Sequence, residues 1–219
     1  MNALARHRIF LALGFAMLTL AGGMIVMGII AQARPASTIV GTALPDPAFG
    51  SPLEQPAPAF SLTNADGDTF SSETLAGQVW VVDFIFTRCQ LVCPIMTLRM
   101  SQLQERLELL GLKDARMVSI SVDPENDTPE VLAAFADKYS ADRARWSFLT
   151  GDRTYIWNLV QDGFKLALDE DPGNDMMPIT HSSRILVVDR SGTVRATFDG
   201  LTEGTVEAIA AYVGALTAE

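Results

Sequence analysis

The cysteines Cys89 and Cys93 sit four residues apart in Thr87-Arg88-Cys89-Gln90-Leu91-Val92-Cys93-Pro94, and the 219-residue chain has only these two. If the first turn after Cys89 is helical, positions i and i+4 face the same way, with Cβ atoms about 5–6 Å apart. Small adjustments then let the two sulfurs share one metal ion or join as a disulfide. A helix amino terminus also offers unpaired amides and a partial positive charge, which favour thiolate and lower its pKa. Arg88 adds charge in the same sense. The competing reading is a purely structural disulfide. A bridge over three intervening residues closes too short a loop to stabilise much.

Histidine is scarce. His7 precedes the apolar amino-terminal run, which leaves His181 alone in the rest of the chain, after Met176-Met177-Pro178-Ile179-Thr180. Two thiolates and one imidazole suit copper in either oxidation state. Zinc also accepts two cysteines and a histidine with a position left open, so the donors alone leave the metal undecided. Met176 and Met177 offer soft sulfur, although adjacent loop methionines more often serve packing. Asp83, inside an apolar run just before the cysteines, is read equally as a proton acceptor for thiol chemistry or as hydrogen-bonded structure. The acid run Asp169-Glu170-Asp171 reads as a solvated loop. Neither a glycine-rich phosphate loop nor a Ser-His-Asp set is present.

The elements that must position these groups follow from pattern. Phe60-Ser61-Leu62 and Thr69-Phe70 flank a turn cluster and predict a hairpin. Val79–Phe86 is a nearly continuous β-branched and aromatic run, as in a strand buried on both faces. Met96, Met100, Leu103, Leu107 and Leu110 recur at helical spacing until Gly111. Met117–Val122 predicts a second strand. Asp127-Thr128-Pro129-Glu130 starts a helix that runs to about Tyr139. A short strand at Phe148-Leu149 precedes a helix capped by Asp152 and ended by Gly163. Arg184–Val188 and Thr193–Phe198 bracket a hairpin turn, and a helix closes the chain from about Thr202 to Leu216. This order predicts an α/β, thioredoxin-like domain over 59–219, with an added amino-terminal hairpin and a late β-hairpin. In such a fold the loop before the late strand, with His181, lies beside the helix that carries the cysteines.

The amino terminus reads as a membrane segment. Ile9–Ala33 contains 25 residues without a charge, and about 20 helical residues cross a bilayer core. Arg6, His7 and Arg8 precede it, which keeps that end cytoplasmic and sends the rest across. Residues 1–33 are therefore expected to form a transmembrane anchor. Ala31-Gln32-Ala33 has the shape of a signal-peptide cleavage site, the alternative reading. Six prolines from Pro35 to Pro58 mark residues 34–58 as a semi-extended tether. The net charge of −10 argues against a nucleic-acid binder, because no surplus of cations is present to neutralise phosphates. Export, with no other ionisable catalytic set, favours copper over zinc.

Several stretches resemble the Sco/SenC family of membrane-tethered, thioredoxin-like copper proteins. They are Phe84–Cys89 through Cys93-Pro94, Ser119–Glu130, His181-Ser182, Leu149–Asp152 and Gly163-Phe164, in order, within about Pro58 to Val213. The resemblance implies copper, as Cu(I) and Cu(II), held by Cys89, Cys93 and His181. It implies delivery of copper to the dinuclear copper site of cytochrome c oxidase subunit II, or reduction of the thiols there, with a copper donor protein upstream. Many members have proline where this chain has Gln90, and an apolar residue where it has Asp83. The amino terminus lacks an Arg-rich transit peptide, so the expected location is a bacterial inner membrane, single-pass, with the domain facing the periplasm. A metallochaperone is favoured over an enzyme. The enzymatic alternative is a thiol–disulfide oxidoreductase in which Cys89 attacks and Cys93 resolves. A peroxidase is disfavoured, since Phe86 stands where Thr or Ser precedes a peroxidatic cysteine.

Overall fold

The structure is a computed structural model that describes residues 50–174 and 176–219. The anchor read over 1–33 and the tether up to residue 49 lie outside the described residues. Among the described residues no helix is long and apolar enough to cross a membrane.

The elements run β1 (Gly50–Pro56), β2 (Ser61–Asn64), β3 (Thr69–Ser71), β4 (Trp80–Ile85), α1 (Cys93–Leu109), β5 (Arg116–Ser121) and α2 (Pro129–Lys138). They continue with β6 (Trp146–Thr150), α3 (Arg153–Asn158), β7 (Leu168–Glu170), β8 (Ile179–His181), β9 (Arg184–Val188), β10 (Thr193–Asp199) and α4 (Thr205–Ala218). One sheet has the order β1-β10-β9-β4-β5-β6-β2-β3, and β7 pairs with β8 separately. Strands β4, β5 and β6 are parallel, linked through α1 and α2, while β9 runs antiparallel to β4.

Every residue of β4 is buried, as its unbroken apolar run predicts. Burying each of Val81, Val82, Phe84 and Ile85 stabilises by about 1.5–3 kcal/mol, so β4 is a rigid base for the cysteine loop that leaves it. The sheet's two faces are covered by different elements. Asp83, Ser119 and Phe148 are register partners across β4, β5 and β6, so they share a face. Phe148 packs edge-on against Phe135 of α2. Helix α1 joins this layer, with Ser101 Oγ donating to the Tyr139 carbonyl and Gln104 Nε2 to that of Ser140, just past α2. On the other face Phe84 meets Phe164, beyond a π-turn (Leu159–Gly163) that continues α3.

Helix starts follow local chemistry. The Thr128 hydroxyl accepts from the Val131 amide ahead of Pro129, and Asp152 accepts from the Tyr155 amide. The β2–β3 and β9–β10 hairpins form as predicted. Two readings are corrected. Residues 50–56, assigned to the tether for their prolines, are strand β1, antiparallel to β10 with a register shift between Pro52 and Gln55. An edge strand pairs on one side only, and so it tolerates a residue without an amide donor. The acid run, read as a solvated loop, is largely exposed, but only Asp171 lies outside a strand. Asp169 and Glu170 belong to β7, and Glu170 is ion-paired with Arg153.

Candidate metal and thiol site

Cys93 is the first residue of α1, but Cys89 lies outside the helix, in the turn that leaves β4. This corrects the expectation of a shared helical turn. Pro94 cannot donate to the carbonyl four residues back, at Gln90, so the helix cannot extend through Cys89. No side-chain oxygen caps α1, whose N-cap residue is Val92. The Leu91, Val92 and Cys93 amides lie close enough to the Cys89 sulfur to favour its thiolate.

The two thiols are consequently unlike each other. A hydrogen bond from the Cys93 thiol, with those amides, pulls the Cys89 pKa down to about 5. The Cys93 thiol is pushed far upward, first by that same hydrogen bond to Cys89, then by burial. Both sulfurs are reduced and buried, with Cys89 4% and Cys93 1% exposed. Arg88 does not act as the sequence suggested. Its Nε lies 2.5 Å from Asp123 Oδ2, and the ion pair consumes its charge. Because Cys89 is depressed, its thiolate persists above pH about 5 and is lost as the pH falls through that value. Alkylation of Cys89 is therefore expected to be nearly pH-independent from pH 9 down to about 6 and to fall below about 5. In Cys93→Ala the midpoint should climb toward that of an ordinary thiol. An unmoved midpoint, followed by mass spectrometry of the labelled peptide, would refute the Cys93 hydrogen bond.

His181 is not in a loop before a strand but ends β8, where it pairs with Leu168 of β7. That two-stranded ribbon carries the imidazole to the cysteines. Cys93 Sγ and His181 Nε2 are 3.2 Å apart. Nδ1 lies 3.1 Å from the Ser182 carbonyl, which can only accept, so Nδ1 carries the proton. Nε2 then turns its lone pair toward Cys93. Burial lowers the pKa of His181 and keeps the ring neutral. The Phe86 ring packs edge-on against it at 5.5 Å between centroids. A neutral imidazole with one nitrogen fixed by a carbonyl is the form that ligates metals.

The three sequence-chosen residues are thus brought together. Among the described residues, no three His, Cys, Asp or Glu side chains stand spread as around a bound ion. Bonds of about 2.3 Å to sulfur and 2.0 Å to nitrogen at a tetrahedral angle separate the donors by about 3.5 Å. The observed 3.2 Å contact between Cys93 and His181 is a few tenths short of that. Met177 packs against the core, and exposed Met176 contributes its carbonyl to the Gln90 amide at 3.4 Å.

The sequence reading gave no role to the groups that hold the cysteine turn in place. Buried Asp127 accepts from the Thr87 amide, from the Thr87 hydroxyl at 2.5 Å and from the Ser121 hydroxyl at 2.5 Å. Asp123 binds Arg88 and Asn126. Two acids four residues apart just after a strand were the available signal. Asp83 is fully buried, where desolvation raises its pKa to about 7 against the hydrogen bond from Ser119.

A model of the SCO1/SenC family matches residues 51–217. The SCO1 protein homolog of Bacillus subtilis (strain 168) is 38% identical over 151 residues, covering 68% of this chain and 77% of the relative. The crystal structure of a SCO1/SenC family lipoprotein from Bacillus anthracis superposes with a TM-score of 0.70 at 34% identity, over 76% of this chain and 98% of that one. BsSco, a member of the Sco family of cytochrome c oxidase assembly proteins in which a disulfide switch was identified, gives 0.68 at 36% identity, over 77% and 98%. These neighbours support the thioredoxin-like α/β fold.

Proposed function

The chain belongs to the SCO1/SenC family, and from that premise we propose that it is a copper-binding assembly factor for the dinuclear copper site of cytochrome c oxidase. Copper is its cargo, held by Cys89, Cys93 and His181. The observation that carries this reading is the His181 Nε2 lone pair facing Cys93 Sγ at 3.2 Å, with Nδ1 engaged by Ser182. A pair of thiols that only exchanged disulfides would have no use for that orientation. Thiolates suit Cu(I) and imidazole accommodates Cu(II) as well, so one donor set serves both states.

The acceptor in this reading is cytochrome c oxidase subunit II, with a copper donor protein upstream. Residues 9–33 anchor the chain in a bacterial inner membrane, and the proline-rich stretch holds the domain on the periplasmic side. The support is the uncharged length of that run and the basic residues ahead of it. Tethering beside a membrane-bound acceptor raises the effective concentration for transfer.

A second reading has its own observation. The ionised, slightly exposed Cys89 beside the protonated, buried Cys93 is the asymmetry of an attacking and a resolving thiol. Titrating the reduced full chain with Cu(II) under anaerobic conditions separates the two. A thiolate-to-copper absorption band saturating near one equivalent is expected. Immediate disulfide formation with release of Cu(I), unchanged in His181→Ala, would transfer the proposal to a thiol–disulfide oxidoreductase.

A further inference from the structure

His181 is carried by a strand pair that could not hold it in place unaided. Strands β7 and β8 have three residues each and form their own sheet, separate from the eight-stranded one. A two-stranded ribbon is marginal in water unless something packs on it or grips it. Its register puts Leu168, Glu170, Ile179 and His181 on one face. Leu168 and Ile179 are buried there. Apolar burial is non-directional, so it sets the depth of the ribbon but not its placement along the surface. Toward the cysteine turn the connection is long, from the Gln90 amide to the Met176 carbonyl at 3.4 Å.

Two side chains from one neighbouring segment grip β7 directionally. Leu168 is the register partner of His181. The Ser182 amide donates to the Ala167 carbonyl, so Leu168 and His181 form an antiparallel pair whose own backbone groups face away from each other. The Leu168 carbonyl is thereby left to accept from Gln161 Nε2, at 2.7 Å. Gln161 sits in the π-turn Leu159–Gly163, an interruption of helical winding of the kind frequent at functional sites. Two residues along β7, Glu170 is ion-paired with Arg153 of α3. Arg153 also pairs with Glu125 at 3.5 Å and lies over the Trp157 ring at 4.6 Å. Trp157 Nε1 in turn donates to the Val122 carbonyl at 3.0 Å, just past β5. An exposed ion pair alone adds little. A guanidinium seated on an aromatic face and shared between two acids is held far more firmly.

We propose that Gln161 and Arg153 are positioning residues for His181, fixing the ribbon so that the imidazole meets the cysteine sulfurs. The proposal rests on the copper reading above, in which His181 is a ligand. Gln161 acts at the residue opposite His181 and Arg153 two residues further on, so Gln161 has the larger effect. Both act through β7. They therefore matter for Cu(II), which gains from the imidazole, and not for Cu(I), which two thiolates satisfy.

The test is a set of anaerobic competition titrations with Cu(II) and with Cu(I) on the reduced full chain. The variants are Gln161→Met and Arg153→Met, each alone and each combined with His181→Ala. Gln161 is exposed and Arg153 half-buried, so the fold should survive both changes. Gln161→Met should weaken Cu(II) by about 10-fold and Arg153→Met by about 3-fold, with an altered thiolate-to-copper band and unchanged Cu(I) affinity. Arg153→Lys should recover part of the loss, because it keeps the charge without the planar fork. In the His181→Ala background neither change should weaken Cu(II) further, since no imidazole is left to place. Hydrogen exchange on the metal-free full chain gives a readout that needs no copper. The Asp171 and Ser182 amides, which bond across the ribbon, should exchange faster in the variants, and the β4 amides should not. Wild-type Cu(II) affinity and spectrum in both single variants would overturn the proposal. So would an equal loss for both ions, or a further loss in the His181→Ala background, since either would mean a general effect on the fold. Equal Cu(II) binding by wild type and His181→Ala would overturn the copper reading itself, and the positioning role would fall with it.

Discussion

His181→Ala is expected to weaken Cu(II) binding by more than about 100-fold, because loss of a mere outer-shell partner already costs about 10–100-fold in metal affinity. Cu(I) binding should fall much less. The difference follows from the donors. Soft Cu(I) is content with two thiolates, whereas Cu(II) gains from the imidazole as a third ligand. The variant removes a half-buried ring at the end of β8, so the fold should survive. Its loss opens a gap beside Phe86, whose ring packs on the imidazole, and a modest loss of stability is expected there. The measurement is a pair of competition titrations, one for each oxidation state, on reduced wild type and variant. Equal Cu(II) affinities would remove His181 from the site. An equal loss for both ions would mean that the histidine shapes the cysteine turn instead of ligating.

What the sequence revealed about this site, and what it hid, has a physical pattern. Cys89, Cys93 and His181 were legible because scarcity and spacing single them out. The strand β4 and helix α1 were legible because both bury faces that impose an apolar period on the chain. The turn between them was misread. Helical spacing of Cys89 and Cys93 looked natural, but the missing amide of Pro94 decides the geometry and leaves Cys89 in the turn ahead of the helix. Strand β1 was hidden for a different reason. Its pairing energy comes from β10, more than 130 residues later, and no local pattern reports a partner so distant. The β7–β8 ribbon is three residues on each side, too short for alternation to show, yet it sets the position of His181. Asp83 was visible as an anomaly. Its complete burial and the hydrogen bond it accepts from Ser119 depend on β5 and could not be read from its own segment.

Oxidising the protein should abolish copper binding completely, and reduction should restore it. In the reduced form Cys89 is ionised beside the Cys93 thiol, its pKa down at about 5. A disulfide needs its sulfurs about 2.05 Å apart, and Cys89 sits in the turn ahead of α1 while Cys93 opens the helix. Once the bond forms, neither sulfur is a thiolate, and His181 remains as a lone imidazole that cannot hold a thiophilic ion alone. Oxidation also removes the negative sulfur next to the Leu91 and Val92 amides, so those amides should exchange faster. Two measurements on the full chain check this, metal content after anaerobic incubation with copper and hydrogen exchange of the Leu91–Cys93 amides. Reduced protein should hold about one ion with protected amides, and the oxidised protein none, with faster exchange. Retention of copper by cleanly oxidised protein would show that the metal is bound elsewhere, because the bond that excludes it uses two of the three proposed donors.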